Sequence, residues 1–165
     1  MCVLSQPASL PFTDEQLLDL VLLQAPGSIA RLDQGVNLLL ANCGRGETLL
    51  ALAQRFPRSR FYGLESLAYE RGAARQAVRA SLRQNVWIQP DAVHLPDLTG
   101  TFHFGLRLAH AGGVDLSEIV LLLKPGGLLF DLHLTAPLGS LYRAVNLTVM
   151  RSVRLPEGFC TLALK

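Results

Sequence analysis

The sequence predicts an α/β fold, a doubly wound and mostly parallel sheet with helices on both faces. From about Leu17 onward, short apolar runs bounded by glycine, proline or asparagine alternate with longer segments of helical spacing. Most of these runs are continuously apolar, which is typical of parallel strands that are covered on both faces. With 165 residues, 50% of them hydrophobic and 17% charged, the chain has material for one packed core. We therefore expect a single domain over residues 1–165, with its core at about 35–134.

Six apolar runs are predicted to be strands: Asn37–Ala41, Arg60–Leu64, Val86–Gln89, Phe102–Leu108, Leu128–Leu134 and, more weakly, Phe159–Leu164. Helices are predicted between them and ahead of them: a leading helix through Leu23 that Thr13 or Asp14 can cap, then Glu47–Phe56, Leu67–Arg83, Asp115–Leu123 and Leu138–Met150. The segment Lys124–Gly127 should end its helix, because Pro125 lacks a donor and the glycines allow a turn. A right-handed crossover at each step then gives a Rossmann-like sheet.

Composition excludes several classes of partner and compartment. The net charge of +2 is too balanced to indicate nucleic acid or an anionic membrane. The longest apolar stretches, Leu18–Leu23 and Ile119–Leu123, are much shorter than the ~18 residues that a membrane helix needs. Residues 1–10 lack the basic region of a secretory signal. The cysteines are scattered without CxxC spacing, which argues against a disulfide framework and a zinc site: Cys2, Cys43 and Cys160. We expect a cytoplasmic protein with no metal, no membrane and no nucleic-acid partner.

The loop after the first strand is the first candidate ligand site, because ligands of such sheets lie beyond the carboxyl ends of the strands. This loop reads Asn42-Cys43-Gly44-Arg45-Gly46. Its two glycines let the backbone pass close to a ligand and lead into a helix N-terminus, which favours an anionic or strongly polar group. The alternative is a tight strand-to-helix turn that binds nothing.

Two carboxylates follow the next two strands. Glu65 ends the second strand 21 residues beyond Gly44, where an acidic residue can accept both ribose hydroxyls of a nucleoside. It could instead stabilise the first turn of the next helix. Asp91 follows the third strand and can accept a hydrogen bond from an exocyclic amine, although a solvated Asx turn is the alternative.

Taken together, these motifs resemble the class I S-adenosylmethionine-dependent methyltransferases. Residues Asn42–Gly46 correspond to the family's glycine-rich loop, and Phe61–Ser66 to the segment with its ribose-binding acidic residue. Asn85–Ala92 resembles the motif whose aspartate reaches the adenine, and Glu118–Gly127 resembles the helix and turn that precede the fifth strand. The resemblance implies S-adenosylmethionine as cofactor and a small molecule as methyl acceptor. The implied cofactor-binding residues are Asn42, Cys43, Gly44, Gly46, Glu65, Ser66, Asp91 and Ala92.

The flanking segments are similar to a narrower, bacterial-type subgroup that usually carries a winged-helix domain ahead of its methyltransferase domain. They are Ala30–Val36 before the first strand and, after the fifth, parts of Pro137–Gly158. The sequence shows no counterpart of the winged-helix domain.

Several positions depart from the family pattern. Leu40 stands where the family has an acidic residue that helps to hold the amino-acid end of the cofactor, and Asn42 replaces the first loop glycine. Asparagine tolerates left-handed backbone better than most residues, so the loop can keep its shape. The roughly 30 residues after Leu134 provide for one helix and one strand, so a sheet truncated after strand five is expected. A non-catalytic, degenerate or truncated methyltransferase-like protein is therefore the alternative.

No catalytic residue is assigned. His110 could act as a general base, but a loop or core-edge position is favoured for it, as for Asp131 and His133. Methyl transfer often needs only alignment of the reacting groups, so a missing acid–base cluster does not argue against it. A nicotinamide-binding protein is disfavoured because Leu49 occupies the position at which the dinucleotide-binding motif has a small residue.

Four arginines recur at every fourth position of the second main helix: Arg71, Arg75, Arg79 and Arg83. We interpret them as a solvated face. A phosphate-binding surface would need aromatic or further basic residues beside them.

Overall fold

The computed structural model describes residues 19, 24–108, 114–133, 139–155 and 158–165. Its strands are β1 (Asn37–Ala41), β2 (Arg60–Leu64), β3 (Val86–Gln89), β4 (Phe102–Arg107), β5 (Leu123–His133), β6 (Thr148–Leu155) and β7 (Gly158–Leu164). They form one sheet in the order β3-β2-β1-β4-β5-β7-β6. Strands β1 to β5 pair in parallel, and β7 lies antiparallel between β5 and β6. The expected mostly parallel, Rossmann-like sheet is confirmed.

The helices of the described residues are α1 (Ser28–Gln34), α2 (Glu47–Arg55), α3 (Ala68–Ser81), α4 (Leu116–Leu122) and α5 (Gly139–Ala144). Two short 3-10 turns, Ala92–His94 and Pro96–Leu98, connect β3 to β4. The sequence reasoning missed α1. The predicted leading helix through Leu23 lies outside the described residues except for Asp19, which is helical. None of the described helices is long and apolar enough to cross a membrane.

The first strand shows why its run is continuously apolar. Leu38 and Leu40 belong to a core cluster that includes side chains of α2 and α3. Leu39 and Ala41 point to the other face, in a cluster with side chains of α4. Because successive strand residues face opposite sides, both faces of β1 are buried and neither can carry polar side chains.

The segment from α4 to β5 agrees with the sequence prediction only in part. Asp115 caps α4, since its Oδ1 accepts the N–H of Ser117 at 3.2 Å. The helix ends at Leu122 and β5 begins directly at Leu123. The Lys124–Gly127 segment is an irregular bulge in this strand, since the pairing goes from Phe102–Leu123 to Phe104–Leu128 and Gly126 has a φ of 74°. The predicted strand began only at Leu128.

The expectation of a truncated sheet is wrong. The predicted helix Leu138–Met150 ends at Ala144, and Asn146 takes a left-handed conformation with φ 60°. The chain then enters β6 at Thr148. Because α5 is only six residues long, the same stretch of chain provides two antiparallel strands, of which β7 pairs with β5.

A glycine in β2 allows the sheet to pack closely against the first loop. A Cβ on Gly63 would lie 2.7 Å from Cys43 Sγ, 2.8 Å from Ile88 Cδ1 and 3.0 Å from Leu49 Cδ2. We expect Gly63→Ala to lower the free energy of unfolding by about 1–3 kcal/mol, because three buried side chains must move. Urea unfolding followed by circular dichroism measures this.

The matched control is Gly72→Ala in the middle of α3, where a Cβ meets nothing within 4 Å. This change should raise the unfolding free energy, by up to about 1 kcal/mol, because alanine is the better helix former. Equal effects of the two substitutions would contradict the packing role of Gly63.

Candidate functional site

The loop after β1 turns sharply into α2 at the carboxyl edge of the sheet. Gly44 and Gly46 have φ angles of 53° and 84°, which glycine adopts without steric cost. A Cβ on Gly46 would lie 3.3 Å from Ala74 Cβ, so this glycine also allows close packing against α3. A Cβ on Gly44 would meet nothing within 4 Å, which leaves open space beside the backbone at that residue. The loop therefore packs closely against α3 at Gly46 and leaves its backbone uncovered at Gly44.

The carboxylate of Glu65 connects the first loop to the end of β2. Its Oε2 accepts the N–H of Gly44 at 2.9 Å, and its Oε1 accepts the N–H of Leu67 at 2.9 Å. The residue is buried, with 5% of its surface exposed. The sequence predicted a carboxylate at this edge, and the structure adds that it also holds the loop in place.

The loop after β3 brings the second carboxylate to the same edge. The Nδ1 of His94 lies 2.7 Å from Oδ1 of Asp91, and this hydrogen bond lowers the pKa of Asp91. The next residue is already engaged, since the N–H of Ala92 donates to Oε2 of Glu118 at 3.2 Å. Ser66, beyond β2, is exposed.

Comparison with known proteins identifies the fold. No protein-family model and no curated protein sequence matches the chain. Solved structures match, among them a SAM-dependent methyltransferase from Aquifex aeolicus, with a TM-score of 0.65 and 15% identity over 93% of this chain and 98% of that one. A geranyl diphosphate methyltransferase in complex with SAM matches with a TM-score of 0.62 and 16% identity, over 91% of this chain and 86% of that one.

The chain has the fold of the S-adenosylmethionine-dependent methyltransferases. A third structure with this methyltransferase fold is the [4+2]-cyclase SpnF, with a TM-score of 0.68 and 22% identity over 85% of this chain and 60% of that one. All three identities are low, so the likeness concerns the fold.

The two departures from the family's first loop have structural roles in this methyltransferase fold. Asn42 takes a left-handed conformation with φ 59°. Its side chain is buried, where Nδ2 donates to the carbonyl of Leu108 at 3.1 Å and Oδ1 accepts the N–H of Val114 at 2.9 Å. Leu40 is fully buried and pairs with Gly63 and Leu106. Asn42 thus connects β1 to the segments after β4, and Leu40 is a core residue.

A polar cluster lies at the carboxyl ends of β4 and β5, where Asp131 and His133, which the sequence analysis placed singly at a loop or core edge, meet partners that it did not name. Arg107 donates to both oxygens of Asp131, at 2.8 and 2.6 Å, and the hydroxyl of Tyr142 donates to the same carboxylate at 2.7 Å. His133 Nε2 lies 2.9 Å from Thr161 Oγ1. Because Asp131 is completely buried, its charge requires these partners. The cluster ties α5 and β7 to the parallel strands, and His110 lies outside the described residues.

The arginines of α3 are not a simple solvated face. Arg71 donates to the carbonyls of Glu65 and Ser66, and Arg75 donates to that of Ile88. These contacts satisfy backbone groups at the ends of β2 and β3. Arg75 is exposed, as a solvated face predicts, and Arg71 is partly exposed, so these two residues are surface arginines that also bind backbone carbonyls.

The thiol of Cys43 gives a test of how tightly the first loop packs. Burial, with a smaller contribution from the charge of Glu65, raises the pKa of Cys43 to about 12. A thiol in the unfolded chain ionises near pH 9. Since the native value is the higher one, the stability that this group contributes is complete below pH 9 and is lost as the pH rises towards 12.

We expect the free energy of unfolding to decline more steeply in the native protein than in Cys43→Ala between pH 9 and 12. The difference in slope should approach about 1.4 kcal/mol per pH unit. Urea unfolding at several pH values measures both slopes, and parallel curves would show that the loop opens to solvent.

Proposed function

We propose that this protein binds S-adenosylmethionine at the carboxyl edge of β1, β2 and β3 and directs its methyl group to a small-molecule acceptor. The observation that carries the proposal is the hydrogen bond from Gly44 N–H to Glu65, which joins a glycine loop and a ribose-type carboxylate at the edge where such sheets bind ligands. S-adenosylmethionine, when bound, supplies a methyl group activated by a positively charged sulfur.

The residues at this edge fit the nucleoside half of that cofactor. Each oxygen of Glu65 accepts one backbone N–H, and a carboxylate oxygen has a second lone pair free to accept a ribose hydroxyl. Asp91 has 41% of its side chain exposed and remains ionised beside His94, so it can accept from an exocyclic amine. Gly44 leaves the space for the ligand itself. The remaining proposed contacts come from the backbone of Cys43, Gly46 and Asn42 and from Ser66 and Ala92.

The amino-acid half of the cofactor meets a less favourable surface. Leu40 is buried and apolar, so the first strand offers no carboxylate there. No acid or base is assigned to the transfer itself, and alignment of the acceptor supplies the rate. The proposal includes membership of the subgroup that usually carries a winged-helix domain, which rests on the flanking motifs. A cytoplasmic setting is also proposed, which suits the free, buried thiols of Cys43 and Cys160.

Binding is tested by calorimetry with S-adenosylhomocysteine, the demethylated product. We expect Glu65→Gln to weaken the affinity about tenfold or more, because the hydrogen bonds from the ribose lose their charged acceptor. Glutamine keeps one oxygen acceptor, but its NH2 group faces the other backbone donor, so circular dichroism and the melting temperature verify that the variant is folded. The matched control is Asp33→Ala, an exposed acid of α1, which should bind like the native protein.

Two results would contradict different parts of this proposal. An absence of heat and of thermal stabilisation at millimolar ligand would leave only a non-binding relative of the methyltransferases. Unchanged affinity in Glu65→Gln, with normal binding by the native protein, would remove the role of Glu65 alone.

A non-catalytic relative is the second candidate, and a specific contact favours it. The N–H of Ala92, which lies beside Asp91, is already bonded to Glu118, so a ligand must displace that carboxylate to use it. The buried Leu40 also favours a non-catalytic relative, because an apolar side chain at this position offers the ligand no polar partner. The name of the [4+2]-cyclase SpnF indicates that this fold also serves activities other than methyl transfer.

Glu118 allows the competition to be measured. Glu118→Ala frees the N–H of Ala92 and should tighten S-adenosylhomocysteine binding by about two- to tenfold, the value of one neutral hydrogen bond. Glu118→Gln removes the same charge but keeps an oxygen acceptor, so it should change the affinity little. If both variants bind like the native protein, the Ala92 N–H takes no part in ligand binding.

A further inference from the structure

An open groove of about 730 Å³ lies at the amino ends of β2 and β3, the sheet edge opposite to the proposed cofactor loops. Its walls are two connections, residues 57–60 between α2 and β2 and residues 81–85 between α3 and β3. Tyr62 and Trp87 complete the lining. Its size falls within the range of small-molecule sites, about 300–1,000 Å³. None of the proposed cofactor-binding residues lines it, so it is a separate site.

The groove carries uncompensated positive charge. Arg58, Arg60 and Arg83 line it, and no lining residue is acidic. In the part of the chain that the structure describes, the ion pairs involve other arginines and His94, and none of these three arginines pairs with a carboxylate. Arg83 is held in place, since its Nη1 donates to the carbonyl of Ala53 at 3.3 Å. A guanidinium group suits a phosphate, which accepts several N–H bonds at once.

An aromatic surface lies beside these charges. Tyr62 and Trp87 are partners on neighbouring strands, and their rings stack with centroids 4.8 Å apart and an angle of 19° between the planes. Tyr62 is buried beneath the indole, whereas 38% of Trp87 is exposed. The connection that follows β3 has 3-10 turns in place of a helix. The indole is therefore partly accessible to solvent where it lines the groove.

The walls of the groove are rigid before any ligand arrives. Ser59 is buried, and its Oγ donates to the carbonyl of Leu32 at 2.6 Å and accepts the N–H of Val36 at 3.1 Å. Asn85 Nδ2 donates to the carbonyl of Ser59 at 2.9 Å, which ties the two connections together. Leu82 is 87% exposed and left-handed, with φ 56°. This exposed leucine of the lining offers an apolar contact to a ligand.

We propose that this groove binds a nucleotide, with the base stacked on Trp87 and the phosphates on the arginines. The charge requires an anion, and the exposed indole requires a flat ring on that anion. A nucleotide has both features and is of a size that a groove of about 730 Å³ can hold. The sequence analysis required aromatic or further basic residues beside the arginine stripe before it would indicate a phosphate-binding surface. Trp87, Arg58 and Arg60 line the same groove as Arg83, the last arginine of that stripe. The inference does not depend on the proposed methyl transfer.

Trp87 reports on the site directly, because it is the only tryptophan of the chain. We expect ATP to quench its fluorescence in a saturable way, and adenosine and tripolyphosphate each to bind at least about tenfold more weakly, since each lacks one of the two contacts. Raising the salt concentration should weaken ATP binding, because surface charges are screened. A short single-stranded oligonucleotide forms the last arm of the titration.

Variants distinguish binding in the groove from non-specific attraction of ATP to the positive charge of the protein. Arg60→Gln and Arg83→Gln should each weaken ATP binding about tenfold. Arg79→Gln, an exposed arginine of α3 outside the groove, should bind like the native protein, and circular dichroism verifies that each variant is folded.

Three outcomes would overturn the proposal. No quenching by ATP at millimolar concentration excludes a nucleotide site, and equal affinity for tripolyphosphate excludes stacking on Trp87. Binding of the oligonucleotide without binding of ATP would replace the free nucleotide with a nucleic-acid strand as the ligand.

Discussion

The buried carboxylate of Glu65 holds together the edge on which the proposed function depends. It accepts hydrogen bonds from two backbone donors that would otherwise be unsatisfied, the N–H groups of Gly44 and Leu67. The neighbouring Cys43 N–H donates to the carbonyl of Leu64, so the loop follows the end of β2 closely. Gly63 permits that approach because it has no side chain. The position of the loop, its open space and the start of α2 all follow from this small set of contacts.

The parallel part of the sheet could be predicted because burial on both faces leaves a clear pattern. The predicted bounds of β1, β2 and β3 agree with the structure to the residue. The edge strand β6 left no such pattern, since most of its residues are exposed and its sequence alternates little. Its strand character depends on pairing with β7, which is a tertiary contact. For this reason the sequence analysis predicted a helix that continues to Met150, whereas the helix ends at Ala144.

The site shows the same division between local and tertiary information. Loop glycines and strand-end acids follow from chain order, so Gly44, Gly46, Glu65 and Asp91 could be proposed from the sequence. The partners of Asn42 could not, because Leu108 and Val114 lie more than 60 residues away in the chain. The cluster of Arg107, Asp131 and Tyr142 likewise requires the register of β4 on β5 and the docking of α5. Hydrogen-bond partners across strands are specified by the register, which no local pattern contains.

The two edges of the sheet differ in how far their polar groups are already satisfied. At the carboxyl edge, the carboxylates and N–H groups bond to one another, as Glu65 does with Gly44 and Glu118 with Ala92. A ligand there gains only the difference between the bonds it makes and the bonds it displaces. At the amino edge, Arg58, Arg60 and Arg83 have no described carboxylate partner, so an anion gains its contacts without displacing an ion pair. The two edges thus differ in what an incoming ligand must displace, which is a set of hydrogen bonds at the carboxyl edge and no described ion pair at the amino edge.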